Sequence, residues 1–259
     1  MGKTVVAVCY ANYPFSWMQK TDENGAVLVS GGDGEGSDLG DYVIGYDVLM
    51  AKHICEELGY ELEIYTYSAD LIDTATFETD CVIYRTQLVS DASYLSEPYY
   101  FDSAVALVKS DGKYANAESV NDLKGATCVV TPYSRSNSDE MERFLSETCV
   151  QQIPDVDIMG DGEEQIVYAT FYLDNGECDV IVTNKSTALN ACISYPEGNY
   201  KILDFSGTSG DFEASDDDVD LGFYINEEDL KEEINSVLSK MTKEDFDQIM
   251  DEAISYYTE

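Results

Sequence analysis

The sequence has few basic residues for its length. Lys and Arg together number 14 among 259 residues, against 52 Asp and Glu, which gives a formal net charge of -38. So acidic a surface repels nucleic-acid phosphates and anionic membranes, and we expect neither as a partner. The sequence also lacks an apolar run of the ~18 residues that mark a membrane-spanning helix. Binding to nucleic acid and crossing of a membrane by these residues are therefore not expected.

Groups that bind metals are also scarce. The chain has one His, His53, and none of its seven Cys residues forms a Cys-x-x-Cys pair. We therefore expect no zinc site. Asp33, Glu35 and Asp38 lack the spacing of an EF-hand loop, which favours a solvated loop over a calcium site. We expect no metal and no cofactor. Several Cys residues lie in apolar runs, which favours buried thiols. One or two disulfides are the alternative if the protein is exported.

The hydrophobic content is 44%, and aromatic residues make up 12% with 20 Tyr, so the chain should fold despite its charge. Residues 21–41 are rich in Gly and Asp and predict a surface loop. Apolar periodicity predicts the remaining elements. They are strands at 5–10, 61–67, 81–84, 126–130 and 180–182, and helices at 48–59, 138–148, from 161 onward and at 226–254. This order predicts an α/β fold with mainly parallel sheets.

Seven short motifs occur in order over nearly the whole chain. They are Tyr13-Pro14-Phe15-Ser16-Trp17, Asn24-Gly25-Ala26-Val27, Gly45-Tyr46-Asp47-Val48, Leu58-Gly59, Ser96-Glu97-Pro98-Tyr99-Tyr100, Asp122-Leu123-Lys124-Gly125 and Asn175-Gly176-Glu177-Cys178-Asp179. Together they resemble the polar-amino-acid solute-binding proteins of ABC importers, known as bacterial extracellular solute-binding protein family 3. The resemblance implies the type II periplasmic-binding-protein fold, an α/β fold of two lobes with mixed sheets flanked by helices and a ligand cleft between the lobes.

The resemblance also implies how the chain is shared between the lobes. Residues 1–107 would form the first lobe and residues 108–205 the second. Residues 206–259 would return to the first lobe and end in the C-terminal helices. Proteins of this kind close around a small ligand by a hinge motion.

The segment after the first strand carries the aromatic residues Tyr13, Phe15 and Trp17. The resemblance places this segment at the cleft, where aromatic rings can form a wall against the ligand. The alternative is a local aromatic core. Arg85 directly follows a predicted buried strand, and Thr86 comes next. The family carries a Thr-x-x-Arg turn nearby that binds the ligand carboxylate, and Arg85 is the candidate to replace that missing Arg. A surface ion pair is the alternative for Arg85.

In the second lobe, Arg135 and Ser136 lie between a predicted strand and a predicted helix. Hydroxyl and backbone N–H groups at a helix start can bind an anion, although Ser136 can equally serve as an N-cap. Asn184 ends the last predicted strand of this lobe, where the family commonly has an acid for the ligand ammonium. An amide accepts a hydrogen bond there without supplying charge. Both halves of the usual amino-acid clamp are thus altered, and the ligand stays unidentified.

The function that the resemblance implies is capture of a small polar solute, an amino acid or a relative, for an ABC permease in the membrane. We expect a monomer without catalytic activity that works outside the cytoplasm, as a cell-surface lipoprotein or in the periplasm. Its signal segment would be missing from the numbered chain, which begins Met1-Gly2-Lys3 and enters a strand directly. Two alternatives remain: the ectodomain of a signalling receptor, and a dehydratase-like enzyme. A single His and three Arg argue against the enzyme.

Overall fold

The structure is a computed structural model of the chain. It describes residues 2–34, 36–68, 71–85, 94–101, 104–130, 151–152, 162–205 and 220–257. The chain forms two compact units. The first unit combines residues 1–101 with residues 219–259, and the second consists of residues 102–218.

The described strands and helices are interspersed along the chain without strict alternation. The described strands are β1 (Lys3–Cys9), β2 (Ala11–Asn12), β3 (Ser16–Gln19), β4 (Val27–Gly32), β5 (Tyr42–Ile44), β6 (Glu61–Tyr67), β7 (Cys81–Arg85), β8 (Tyr100–Phe101), β9 (Ala104–Lys109), β10 (Thr127–Val130), β11 (Gln151–Gln152), β12 (Val180–Asn184), β13 (Tyr200–Leu203) and β14 (Asp220–Ile225). The described α-helices are α1 (Tyr46–Leu58), α2 (Gly162–Asp174), α3 (Lys185–Ser194), α4 (Glu228–Leu238) and α5 (Lys243–Tyr256). The helix predicted at 138–148 lies outside the described residues.

The sheet of the first unit has the strand order β2-β3-β5-β4-β6-β1-β7-β14-β8 in the described residues. Its four central strands β4, β6, β1 and β7 run parallel to one another. The remaining pairings are antiparallel, so the sheet is mixed and the prediction of mainly parallel sheets is wrong for it. Because the central strands share one direction, their carboxyl ends meet at a single edge of the sheet, which we call the first carboxyl edge.

The helices of the first unit cover this sheet with their apolar faces. Helix α1 begins after Gly45 and ends at Gly59, whose left-handed φ of 70° and N–H bond to Cys55 O form the C-cap. Both C-terminal helices contact α1. The apolar residues that recur at helical spacing over 226–254 are therefore the ones that face the core. The core that they share with the sheet includes Val6, Met50, Ile54, Ile64, Ile234, Leu238 and Met250.

The sheet of the second unit has the order β11-β10-β12-β9-β13 in the described residues. It packs apolar side chains on both faces. In β9, Ala106 and Val108 belong to one core cluster, and Val105 and Leu107 belong to another. This alternation follows from the two-residue period of a strand and explains why β9 is apolar from Ala104 to Val108. Because β9 pairs with both β12 and β13, it lies wholly in the second unit, whereas the sequence analysis put a lobe boundary inside it at 107.

The prediction of a surface loop over residues 21–41 is wrong for part of that segment. Residues Val27–Gly32 form β4, which inserts between β5 and β6. The alternating half-buried and exposed residues of β4 follow the two-residue period of a strand that keeps one face partly exposed. The strand is held by its pairing with β5 and β6. Gly31 and Gly32 have low strand propensity, so the local sequence does not indicate a strand here.

Four cysteines, Cys55, Cys81, Cys128 and Cys178, are buried, and the cysteines of the described ranges form no disulfide.

Among the helices that the structure describes, none is long and apolar enough to cross a membrane.

Candidate functional site

Ligands of open α/β sheets bind beyond the carboxyl ends of the parallel strands, because loops and helix starts bring polar groups there. In the first unit, β1 is followed by Tyr10, β6 by Ser68, and β7 ends at Arg85. Backbone pairing fixes the first two positions side by side, since Cys9 lies opposite Tyr67 and the Tyr10 N–H donates to Tyr67 O at 3.2 Å. Strand β7 runs parallel to β1 on its other side. The first carboxyl edge is therefore the candidate site of this unit.

The aromatic segment after β1 divides into the half-buried Tyr13 and the buried Trp17 and Phe15. The rings of Tyr13 and Trp17 stack with centroids 5.3 Å apart, and Tyr257 packs edge-on against both at 4.9 and 6.0 Å. Burial, followed by the proximity of Tyr257, raises the pKa of Tyr13, so its phenol stays neutral. Tyr13 keeps a partly exposed surface, whereas Trp17 is only 5% exposed.

Phe15 lies deeper than either member of this pair. It is 1% exposed and packs edge-on against Tyr100 at 5.0 Å and Tyr46 at 6.1 Å between centroids. Its backbone carbonyl accepts a hydrogen bond from the Asp47 N–H at 2.9 Å. These contacts favour the aromatic-core alternative for Phe15, which packs against the first turn of α1.

The Arg candidate of the first unit ends a central strand. Arg85 is the last residue of β7, and its backbone pairs with Leu221 of β14. Since β7 is parallel to β1, the Arg85 backbone stands at the first carboxyl edge. Thr86 lies outside the described residues.

In the second unit, the parallel strands β10 and β12 bring their carboxyl ends together at Val130 and Asn184. Asn184 is 7% exposed, pairs with Ala104 of β9 and is the N-cap residue of α3. It therefore lies where a strand end meets a helix start, as ligand-binding residues of α/β sheets commonly do. Arg135 and Ser136, which would follow β10, lie outside the described residues.

The structure also shows a buried polar network for which the sequence analysis proposed no role. Asp47 is 2% exposed and accepts a hydrogen bond from the Tyr99 hydroxyl at 3.0 Å. The Tyr46 hydroxyl donates to Tyr99 O at 2.6 Å. Burial and then the Asp47 charge raise the pKa of Tyr99 far above its usual range, so its phenol stays a donor.

This network ties the start of α1 to the segment that enters β8. Asp47 lies in the first turn of α1, where the helix dipole favours a negative charge. Its signal in the sequence was the pair of motifs Gly45-Tyr46-Asp47-Val48 and Ser96-Glu97-Pro98-Tyr99-Tyr100, 53 residues apart between Tyr46 and Tyr99. The motifs were visible in the sequence, but their contact with each other was not.

Solved structures of similar fold are known, although no protein-family model and no curated protein matches the sequence. The L-cystine solute receptor of Neisseria gonorrhoeae, in an unliganded open conformation, is 19% identical, with a TM-score of 0.62 over 98% of this chain and 95% of that chain. The second substrate-binding domain of a putative amino acid ABC transporter from Streptococcus pneumoniae is 19% identical, with a TM-score of 0.61 over 97% and 100%.

A third structure is an amino acid ABC transporter substrate-binding protein from Streptococcus pneumoniae bound to L-arginine. It is 21% identical, with a TM-score of 0.52 over 98% of this chain and 94% of that chain. At these identities the likeness concerns the fold. The chain has the α/β fold of type II periplasmic binding proteins, and the prediction of this fold class is confirmed.

Proposed function

We propose that this protein is an extracytoplasmic solute-binding protein that captures a small polar solute, an amino acid or a close relative, for an ABC importer. The observation that carries the proposal is the fold likeness over 98% of the chain to the L-cystine solute receptor. The similar structures from Streptococcus pneumoniae are also substrate-binding parts of amino acid ABC transporters. A shared fold alone does not fix a function, and the residues at the two sheets supply the second line of support.

The ligand-binding residues that we propose lie at strand ends. In the first unit they are Tyr13, which retains exposed surface, and Arg85, with Phe15 and Trp17 supporting the Tyr13 segment from the core. In the second unit Asn184 would accept a hydrogen bond from a donor on the solute. Thr86, Arg135 and Ser136 remain proposed contacts from the sequence.

Charge restricts the class of solute. A net charge of -38 repels anions over distances of about a Debye length, ~8 Å at physiological salt. An amide at 184 in place of an acid lowers the expected selectivity for an ammonium group, because the charge-assisted part of that hydrogen bond is missing. Neutral or cationic amino acids are therefore favoured over acidic ones.

The proposal includes the other properties that accompany such a function. The protein binds its solute without turning it over, acts as a monomer and delivers the solute to a membrane permease. Its place is outside the cytoplasm, in a periplasm or as a lipoprotein on the cell surface.

A thermal-shift screen tests the binding function. The panel holds the twenty standard amino acids and L-cystine, with short peptides, polyamines and nucleobases as other solute classes. A ligand at 100 times its Kd stabilises the native state by about 2.7 kcal/mol, a rise in Tm of roughly 5 to 10 °C for a chain of this size. We expect at least one neutral or cationic amino acid to give such a rise. A panel in which only polyamines or nucleobases do so would contradict the amino-acid assignment, and a panel without any rise would contradict the binding function.

A further inference from the structure

Strand β4 delivers a glycine-rich loop to the first carboxyl edge. It pairs parallel with β6, with Val29 opposite Ile64 and Gly32 opposite Thr66. Parallel strands end at the same edge of a sheet. The chain therefore leaves β4 beside the ends of β6 and β1, in the region where ligands of α/β sheets bind.

Two hydrogen bonds fix the start of this loop. The Asp33 N–H donates to Thr66 O at 3.2 Å, and the Ser68 N–H donates to Asp33 Oδ2 at 2.7 Å. The second bond is charge-assisted, since its acceptor is a carboxylate, and such bonds are about twice as strong as neutral ones. Asp33 thus joins the end of β4 to the first residue beyond β6, which gives it a function other than calcium binding.

Further along the loop, Gly36 lies against the side chain of Tyr10, the residue that follows β1. A Cβ at position 36 would stand 2.7 Å from Tyr10 Cδ2 and 2.8 Å from its Cγ, closer than such atoms approach in proteins. Gly36 also has a φ of +76°, which L-residues seldom adopt. The Tyr10 ring and the loop are therefore in direct contact, and only glycine allows it.

We propose that residues 36–40, beyond the Asp33 anchor, are a specificity-determining part of the solute site, in which Gly36 positions the Tyr10 ring for contact with the solute. This inference rests on the solute-binding function proposed above. Asp33 anchors the loop, Gly36 sets the orientation of Tyr10, and Tyr10 meets the solute at the end of β1. Gly36 is a positioning residue, since it acts through Tyr10.

Gly34 offers a matched control within the same loop. Its φ is +82°, close to that of Gly36, and no described atom lies within 4 Å of the place a Cβ would take. The variants Gly36→Ala and Gly34→Ala therefore introduce similar backbone strain, and only the first displaces Tyr10.

The experiment measures Kd by calorimetry for each amino acid that binds the wild-type protein, together with Tm in the absence of solute. We expect Gly36→Ala to raise Kd at least fivefold over Gly34→Ala, and to change the ratio of Kd values between two amino acids. In a Tyr10→Ala background, Gly36→Ala should no longer change Kd, because the ring it displaces is gone.

Three outcomes overturn the inference. Equal Kd values for the two glycine variants, with a lower Tm for Gly36→Ala, would show a purely structural contact. A full Gly36→Ala effect in the Tyr10→Ala background would show that Tyr10 does not transmit it. In both cases the solute-binding function stands. A wild-type protein that binds no amino acid refutes the proposed function, and the loop inference with it.

Discussion

Both units bind carboxylates through tyrosine hydroxyls and through ammonium groups, and they differ in how the two kinds of donor are combined. In the first unit, tyrosine hydroxyls donate to carboxylates that are distant in sequence: Tyr99 to Asp47 at 3.0 Å, Tyr67 to Glu78 at 2.6 Å and Tyr60 to Glu233 at 2.5 Å. In the second unit one carboxylate receives both kinds of donor: Asp174 binds Lys109 at 3.0 Å and accepts from the Tyr200 hydroxyl at 2.9 Å. Lys109 also donates to Gly198 O, and its ammonium group stands 5.0 Å from the ring centroid of Tyr200.

Phenols help to hold carboxylates in a chain that has 14 basic residues against 52 Asp and Glu. A phenol can donate to a carboxylate without supplying a charge, and the sequence has 20 Tyr. Such a bond depends little on ionic strength, whereas an ion pair weakens as salt screens it. In the first unit the described phenols and ammonium groups bind different carboxylates, since the ion pairs there are Lys3–Glu63 and Lys243–Asp247.

The largest expected effect is the difference between a buried phenylalanine of the first unit and an exposed one of the second. Phe15 is 1% exposed in the first unit, whereas Phe171 on α2 of the second is 60% exposed. Phe15→Ala should lower the free energy of unfolding by about 3 to 5 kcal/mol through the cavity it leaves. Phe171→Ala should change it by less than about 0.5 kcal/mol. Denaturant unfolding measures both, and similar losses in the two variants would refute the assignment of Phe15 to the core.

A smaller effect is expected for the buried phenol. Tyr99→Phe removes a donor from Asp47 while keeping the ring, which should cost about 1 to 3 kcal/mol of unfolding free energy. Tyr256→Phe is the control, because its hydroxyl donates to Glu252 at the exposed surface of α5. A Tyr99→Phe variant as stable as Tyr256→Phe would show that the Asp47 contact adds nothing.

The smallest effect tests salt dependence. Lys109→Met should lower the unfolding free energy by about 1 kcal/mol at low salt, since the ion pair is partly exposed. The loss should shrink in 1 M NaCl, where the Debye length is ~3 Å. Tyr67→Phe, which removes the bond to Glu78, should cost the same at both salt concentrations. If salt reduced both losses equally, the expected difference in salt dependence between phenol bonds and ion pairs would be wrong.

Much of the fold follows from the sequence because its signals are local. The 3.6-residue spacing marks α1 and the C-terminal helices, and β6 occurs at the predicted residues Glu61–Tyr67. Strand β4 escaped prediction because Gly31 and Gly32 have low strand propensity and the pairing that holds them is with β6. Periodicity describes one element at a time, so it does not reveal a strand that distant pairing creates.

The candidate site was less predictable than the fold. The motifs correctly located an aromatic segment after β1, but they could not divide it into the half-buried Tyr13 and the buried Phe15. That division depends on Tyr46, Tyr100 and Tyr257, which come from three other parts of the chain. The contact of Gly36 with Tyr10 is likewise tertiary.

Calorimetric titration of the wild-type protein with the amino acid that raises Tm most tests the central claim directly. The solute-binding function predicts saturable heat with one site per chain, and unchanged solute recovered from the complex. Heat that does not saturate for any amino acid in the panel, or recovery of a chemically altered solute, would contradict it.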